Sequence, residues 1–530
     1  MRRWNGWGDD TIDFPLPASA QPFLEQRLGK PTPLPDASFK DVMAVVPPSR
    51  LPDHPLVIKA PRDRILHARG QSLPDWLTLR SGKLGAFPDG VAYPVIAEQV
   101  RALITFVKDQ DGILIPYGGG TSVVGHINPP ATDRPILTVN LSRMNRLLDL
   151  DQESHIATFG AGASGPDVES QLRAHGYMLG HYPQSFEFST LGGWIVTRSS
   201  GQQSLGYGKI ERLFAGGTME TPSGRLEIQD FPASAAGPDL REIVMGSEGR
   251  LGILTKVKMR VSSLPPKESF RVFFFPHWDS GCEALRRIVQ AGIPLSMLRL
   301  SNETETETQL ALAGHGKAVR LLEKWLTFRG AGVQKCMVTV GITGTKRLHR
   351  TALKEASHIF HEEKAVHAGK MLGHKWKENR FRAPYLRNSL WERGYCVDTL
   401  ETAINWDRVS PLMAGVESAL AGTLVGEREK VLVFSHLSHL YSQGSSIYTT
   451  FLFRAADTYE GTLARWRRLK KAASEAIMEH GGTITHHHGV GTDHAPYLLS
   501  EKGPLGINAV KALCRTFDPD GLMNPGKLVS

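Results

Sequence analysis

Apolar positions first fall into order in "YPVIAEQVRALITFVKDQDGILIPYGGGTS". Val100, Leu103, Ile104 and Val107 recur at helical spacing, which predicts an amphipathic helix. The run "GILIPY" (Gly112 to Tyr117) then reads as a short buried strand, and Gly118 to Ser122 as a tight loop after it. Further on, "LGILTKVKMRV" alternates. Ile253, Thr255, Val257, Met259 and Val261 share one face, and Lys256, Lys258 and Arg260 the other, so a half-buried strand is expected. "FRVFFFP" reads as a fully buried strand, and Leu463, Trp466, Leu469, Ala473 and Ile477 mark the inner face of a later helix. Residues 1–80 are rich in proline and lack periodicity, as expected of an extended arm wrapping a larger body. The linker "SSLPPKESF" marks a boundary near residue 265. The division expected is an N-terminal arm (1–80), a first domain (81–265), a second mixed domain (266–455) and a C-terminal segment (456–530).

Composition narrows the classes. At 530 residues, 41% of them hydrophobic and 22% charged, the chain has ordinary globular proportions and room for a large core. The four cysteines (Cys282, Cys336, Cys396, Cys514) are scattered, with no CxxC pair, which argues against a disulfide framework or a cysteine zinc site and for a reducing compartment. The net charge of +9 suits an anionic ligand or an anionic membrane surface. The densest cluster, "RWRRLKK" (Arg465 to Lys471), reads as a solvated helix face, and no nucleic-acid motif accompanies it. No stretch reaches the roughly 18 apolar residues of a membrane span. "MRRWNGWGDD" lacks a secretory core, and "KLVS" is not the Ser-Lys-Leu peroxisomal address, so a cytoplasmic location is expected.

Three stretches are dense in glycine and small polar residues: "IPYGGGTSVVGH", "PQSFEFSTLGGWIVTRSSGQQSLGYGKIERL" and "MGSEGRLGILT". Glycine lets backbone N–H groups approach an anion. The first is not a P-loop, and Val123 stands where GxGxxG needs its third glycine. Together the three suggest a groove for a long, multi-phosphate ligand such as a dinucleotide.

These loops, with "RWNGWG", "YGKIERL" and "THHHGVG", resemble the alkyldihydroxyacetonephosphate synthase family of the vanillyl-alcohol-oxidase flavoprotein superfamily. Less closely, the tail "FDPDGLMNPGKL" resembles FAD-dependent D-lactate dehydrogenases. The resemblance implies an α+β fold: a two-subdomain FAD-binding domain of vanillyl-alcohol-oxidase type with an α+β cap over the flavin. It implies FAD as cofactor, with Pro116, Gly118, Gly119, Gly120, Thr121 and Ser122 at the pyrophosphate. Pro183, Ser189, Thr190, Gly192, Gly193, Thr197, Arg198 and Ser199 would line the isoalloxazine and ribityl region, and Glu248, Gly249, Gly252 and Ile253 the adenosine part. Where many superfamily members carry a flavin-linked histidine this chain has Thr121, so the FAD is expected to be non-covalent; His126, a little beyond, reads as structural.

"THHHGVG" (Thr485 to Gly491) admits a metal site, an acid/base site or structural histidines. If extended, it places His486 and His488 on one face and His487 on the other, which disfavours one metal held by all three; the nearest further ligands are Asp493 and His494, and no recognised zinc spacing is present. No metal is expected. The resemblance puts His486, His487 and His488 at the active site, facing a tyrosine on the strand "SSIYTTFLF". There Ser446, Tyr448, Thr450 and Leu452 share a face, making Tyr448 the acid/base candidate, although the family pattern has cysteine where Ser446 stands. Arg387, in "APYLRNSLWERG", matches the family's active-site arginine and would steady negative charge. The implied activity is alkylglycerone-phosphate synthesis: acyl-dihydroxyacetone phosphate and a long-chain alcohol give the alkyl ether and a fatty acid, with the flavin as a covalent trap. The alternative is a FAD-dependent D-2-hydroxy-acid dehydrogenase. The expected partners are those substrates, a second copy in a homodimer, and a membrane surface in peripheral contact, with no nucleic acid.

Overall fold

The helix Ala97–Asp109 buries Val100, Leu103, Ile104 and Val107, the stripe its spacing predicts. The chain then turns into the strand Ile113–Tyr117, which pairs in parallel with Ile136–Asn140. With Gly90–Ala92 and Val57–Ile58 these make a four-stranded sheet. A computed structural model describes residues 2–313 and 316–529. In it, the alternating segment forms the strand Ile253–Arg260, with Val257 and Met259 buried and Lys256 exposed. That strand is the centre of a five-stranded antiparallel sheet. Helix Ala97–Asp109 packs against both sheets, and one continuous apolar core joins them.

A seven-stranded antiparallel sheet builds the second half, in the order Val366–His367, Lys267–Phe275, Cys336–Gly344, Met297–Ser301, Leu432–Leu437, Gly444–Arg454 and Tyr395–Asn405. Phe273 and Phe275 bury against Leu285, Ile288 and Phe360 of the helices Trp278–Gln290 and Lys346–Glu362. Helix Tyr459–Glu479 turns Trp466, Leu469, Ala473 and Ile477 inward as expected. Its basic cluster is not wholly a solvated face. Lys470 is buried and donates to the Thr399 carbonyl, while Arg465 and Arg468 pair with Glu427. After this helix the chain crosses back, and Met523 bridges to Leu114 in the first sheet.

Two expectations change. The N-terminal arm is not simply extended: it holds four short helices, Ala20–Leu28, Phe39–Ala44, Pro61–Leu66 and Leu73–Ser81. Capping rather than periodicity marks one of them, since Ser72 and Asp75 form a reciprocal capping box. The segment Trp406–Glu427 is long and apolar enough, by length and composition, to cross a membrane. Its helix Val409–Thr423 buries Leu412, Val416 and Leu420 against helix Tyr459–Glu479 and the sheet.

Candidate active site

A cavity of about 610 Å³ lies between the two halves. One arm is built from the glycine-rich turns. Pro116, Gly118, Gly119, Gly120, Thr121 and Ser122 leave the end of the strand Ile113–Tyr117 and line it. Gly120 has φ +65°, a left-handed conformation that glycine adopts freely. Pro183, Ser189, Thr190, Gly192, Gly193, Thr197, Ser199, Glu248, Gly249, Gly252 and Ile253 complete this wall. The glycines let this wall pack closely on itself, since a Cβ at Gly118 would collide with Thr190 and one at Gly119 with the Phe188 carbonyl, and the small side chains beside them leave room for a dinucleotide.

Arg198 does not line the cavity. Its φ of +53° turns the side chain outward, to Glu242 at 2.6 Å and the Met245 carbonyl at 3.2 Å. Glu248 lines the cavity but is already engaged. Its carboxylate accepts the backbone N–H groups of Val490 (2.5 Å) and Gly491 (2.8 Å), and His126 Nε2 stands 3.2 Å away. It anchors the histidine segment to the first domain.

The other arm is framed by the second sheet. Tyr448, Thr450 and Leu452 line it from one face of the strand Gly444–Arg454, as alternation predicts. Register places Glu401 beside Tyr448 on one neighbouring strand and His436 beside it on the other. The rings of His436 and Tyr448 stack at 4.9 Å. His436 is bonded in turn to Glu305, which pairs with Arg299 at 2.5 Å. Burial pushes the Tyr448 phenol up to about 12. Arg387 extends over Trp76 at 4.3 Å and donates from Nη1 to the Gln71 carbonyl at 2.7 Å, while its buried Nη2 has no partner.

The histidine run is a turn, not a strand, so the alternating-face expectation fails. Residues 486–488 form a bend, and Gly489 follows with φ +85°. A Cβ at Gly489 would meet His126 Nε2 at 2.7 Å and Glu248 Oε1 at 2.9 Å, so the anchor itself demands glycine here. His486 and His487 share one partner: His486 Nδ1 lies 3.0 Å from Glu401, and His487 Nδ1 bonds the same carboxylate. His487 and His488 line the cavity, whereas His486 sits behind them and accepts from Tyr441 Oη at 2.6 Å. The His488 ring meets Tyr448 edge-on at 5.7 Å, and burial holds its imidazole neutral, well below the ordinary range. A ligand set unforeseen in the sequence also gathers: ligand atoms of Glu401, His439, His486 and His487 lie within 4.8 Å of one another. Asp493 and His494 are not part of it; His494 bonds the Gly489 carbonyl instead.

The family of FAD binding domains matches residues 88–228, and that of the C-terminal domain of FAD linked oxidases matches residues 264–528. Alkyldihydroxyacetonephosphate synthase of Dictyostelium discoideum is 30% identical, over 99% of this chain and 93% of its own length. The chain belongs to the alkyldihydroxyacetonephosphate synthase family. A solved alkyldihydroxyacetonephosphate synthase superposes with a TM-score of 0.85 at 27% identity, covering 99% of this chain and 98% of that one. p-Cresol methylhydroxylase superposes with a TM-score of 0.66 at 14% identity and shares the fold. The cofactor is FAD. Within this family's frame, reading the sequence alone missed Glu401, Glu305, Arg299 and His436. None stands in a motif: strand register brings Glu401 and His436 beside Tyr448, and Arg299 and Glu305, the latter on the helix Glu303–Leu312, join them through His436.

Proposed function

We propose that the chain is an FAD-dependent alkylglycerone-phosphate synthase, exchanging the acyl group of acyl-dihydroxyacetone phosphate for a fatty alcohol. One observation carries the reading beyond family likeness. Tyr448, Thr450 and Leu452 follow one another along a single strand face, so the cavity passes from a proton-handling centre into an apolar arm completed by Leu16, Phe23, Leu24, Leu312 and Phe434. A polar head joined to a long aliphatic chain matches that sequence of surfaces.

Bound FAD would supply the electron-poor ring against which the substrate carbon reacts. The residues supporting it are the glycine-rich wall, with Gly118 to Ser122 at the pyrophosphate and Thr121 leaving the flavin non-covalent. Arg198 braces that wall from outside. Tyr448 exchanges a proton with the substrate. Its buried phenol needs cationic support to ionise, which Arg299 and Arg387 supply through space, and the free buried N–H of Arg387 steadies the anionic substrate. His487 and His488, neighbours of Tyr448 in the cavity, pass protons onward. Purified protein, acyl-dihydroxyacetone phosphate and labelled hexadecanol should give alkali-stable ether product. Bleaching of the flavin by a 2-hydroxy acid under anaerobic conditions, without ether product, would favour the dehydrogenase alternative.

Peripheral membrane contact is supported by the helix Gly316–Phe328. Leu321 and Phe328 are 71% and 87% exposed, beside Lys317, Arg320 and Lys324. An apolar crest flanked by cations suits an anionic lipid surface. Flotation with anionic vesicles should fail for Leu321→Asp with Phe328→Asp. A cytoplasmic location is supported by four free cysteines, three of them buried. Subcellular fractionation tests it.

A further inference from the structure

We propose that Glu401, His439, His486 and His487 form a binding site for a divalent transition-metal ion, zinc by the chemistry of its donors, which ties the histidine turn to the second sheet. The site stands apart from the synthase reading, since it needs neither that substrate nor that reaction.

Three separate parts of the chain meet here. Glu401 lies on the strand Tyr395–Asn405, His439 just past the strand Leu432–Leu437, and His486 and His487 in the turn after helix Tyr459–Glu479. One ligand atom from each residue lies within 4.8 Å of every other. His486 Nδ1 is 3.0 Å from Glu401 Oε1 and 3.2 Å from His487 Nδ1, and His439 Nε2 is 3.9 Å from Glu401 Oε1. His487 Nδ1 faces Glu401 Oε2. Zinc holds imidazole nitrogen and carboxylate oxygen at about 2.0–2.2 Å in a tetrahedron, which sets neighbouring donors about 3.3–3.6 Å apart. The separations in this set bracket that spacing.

Hydrogen bonding alone does not complete the cluster. Glu401 is fully buried, and no lysine or arginine pairs with it among the described residues. A buried carboxylate needs a compensating cation, and a neutral imidazole brings none. Glu401 Oε2 has no hydrogen-bond partner. The Nδ1 atoms of His486 and His487 face each other as well as the carboxylate, a convergence of lone pairs that one cation satisfies at once. Three imidazole nitrogens and one carboxylate oxygen, with no thiolate, suit zinc; calcium and magnesium take oxygen shells, and copper(I) takes sulfur.

The surroundings fit as well. His486 Nε2 stands 2.6 Å from Tyr441 Oη. With the ion on Nδ1, Nε2 carries the proton and donates to that oxygen, the orienting bond that metal-bound histidines make. The His486 backbone N–H donates to the Glu401 carbonyl at 3.2 Å, which fixes the turn against the strand. His488 stays outside the set, so the turn need not bend three adjacent rings onto one ion. His439 and His487 line the cavity, which gives the ion a way in. Four protein donors close a tetrahedral shell, so the ion's work is to hold the turn. Glu248 holds it from the first domain, and the ion holds it from the second.

The test uses untagged holoenzyme, stripped with a chelator and then given Zn²⁺. Elemental analysis after gel filtration should find about one zinc per chain, and the melting temperature should rise on zinc addition. Glu401→Gln and His439→Ala should keep FAD but retain at least about tenfold less zinc, because each removes one donor. His488→Ala should bind zinc as the parent does. Co²⁺ in place of Zn²⁺ needs no variant: it should give the intense visible bands of a four-coordinate ion, read beyond the flavin absorption. A stripped parent that takes up no zinc and does not change its melting temperature would overturn the proposal. So would zinc held equally by Glu401→Gln and His439→Ala, or the faint spectrum of octahedral cobalt, either of which marks an ion at the surface. None of these readouts involves turnover, so their failure leaves the synthase reading standing.

Discussion

Glu248 accepts the backbone N–H of Val490 at 2.5 Å, across 242 positions of sequence. Through this bond and its companion to Gly491, the FAD-binding domain holds the histidine turn at the cavity. Charge-assisted hydrogen bonds of this kind contribute about 1.5–3 kcal/mol each. Glu248→Ala should therefore lower stability in urea melts by about 2–4 kcal/mol and cut turnover. Unchanged stability would show that the turn holds itself.

Tyr448→Phe keeps the ring that stacks on His436 and removes only the hydroxyl. Turnover should fall about 10²–10⁴-fold, the usual loss of a positioned acid/base. The flavin spectrum should be unchanged. Parent-rate turnover would remove Tyr448 from the chemistry.

The three histidines should separate by role. His487→Ala and His488→Ala should both damage turnover with FAD retained, because both line the cavity. His486→Ala should act first on stability, because its ring is packed between Glu401 and Tyr441. Melting curves beside steady-state rates distinguish these outcomes. A stable but inactive His486→Ala would place that ring in the chemistry rather than behind it.

Flavin attachment has a direct test. Acid precipitation should leave the flavin in the supernatant, since Thr121 offers no imidazole for a covalent bond. Colour remaining in the pellet would contradict this.

His494 is buried, donates through Nδ1 to the Gly489 carbonyl at 2.8 Å, and is pushed down to about 3 by burial. A histidine with a folded pKa below its unfolded value of about 6.5 contributes stability that is present above pH 6.5. That stability is lost as pH falls towards 3. His494→Gln should flatten the dependence of stability on pH in this window, by up to one proton in the linkage slope. Parallel slopes in urea melts from pH 7 to pH 4 would mean that His494 is not buried in its neutral form.

The sequence by itself determined the parts whose signal is local. Helical spacing from Val100 to Val107, alternation along Ile253–Arg260 and the face shared by Tyr448, Thr450 and Leu452 depend only on residue period, and each appears in the structure. The glycine-rich turns were equally legible, because backbone freedom is a property of the residue itself. The tertiary structure decided the rest. Alternation assumed a strand at His486–His488, but the bond network at Glu248 and the left-handed Gly489 make a turn there. Arg198 stood in a motif that lines the cavity, yet its own backbone conformation points it at Glu242. Glu401 lies 85 positions from His486 and one strand from Tyr448. Its place beside both rests on strand register, which exists only once the chain is folded.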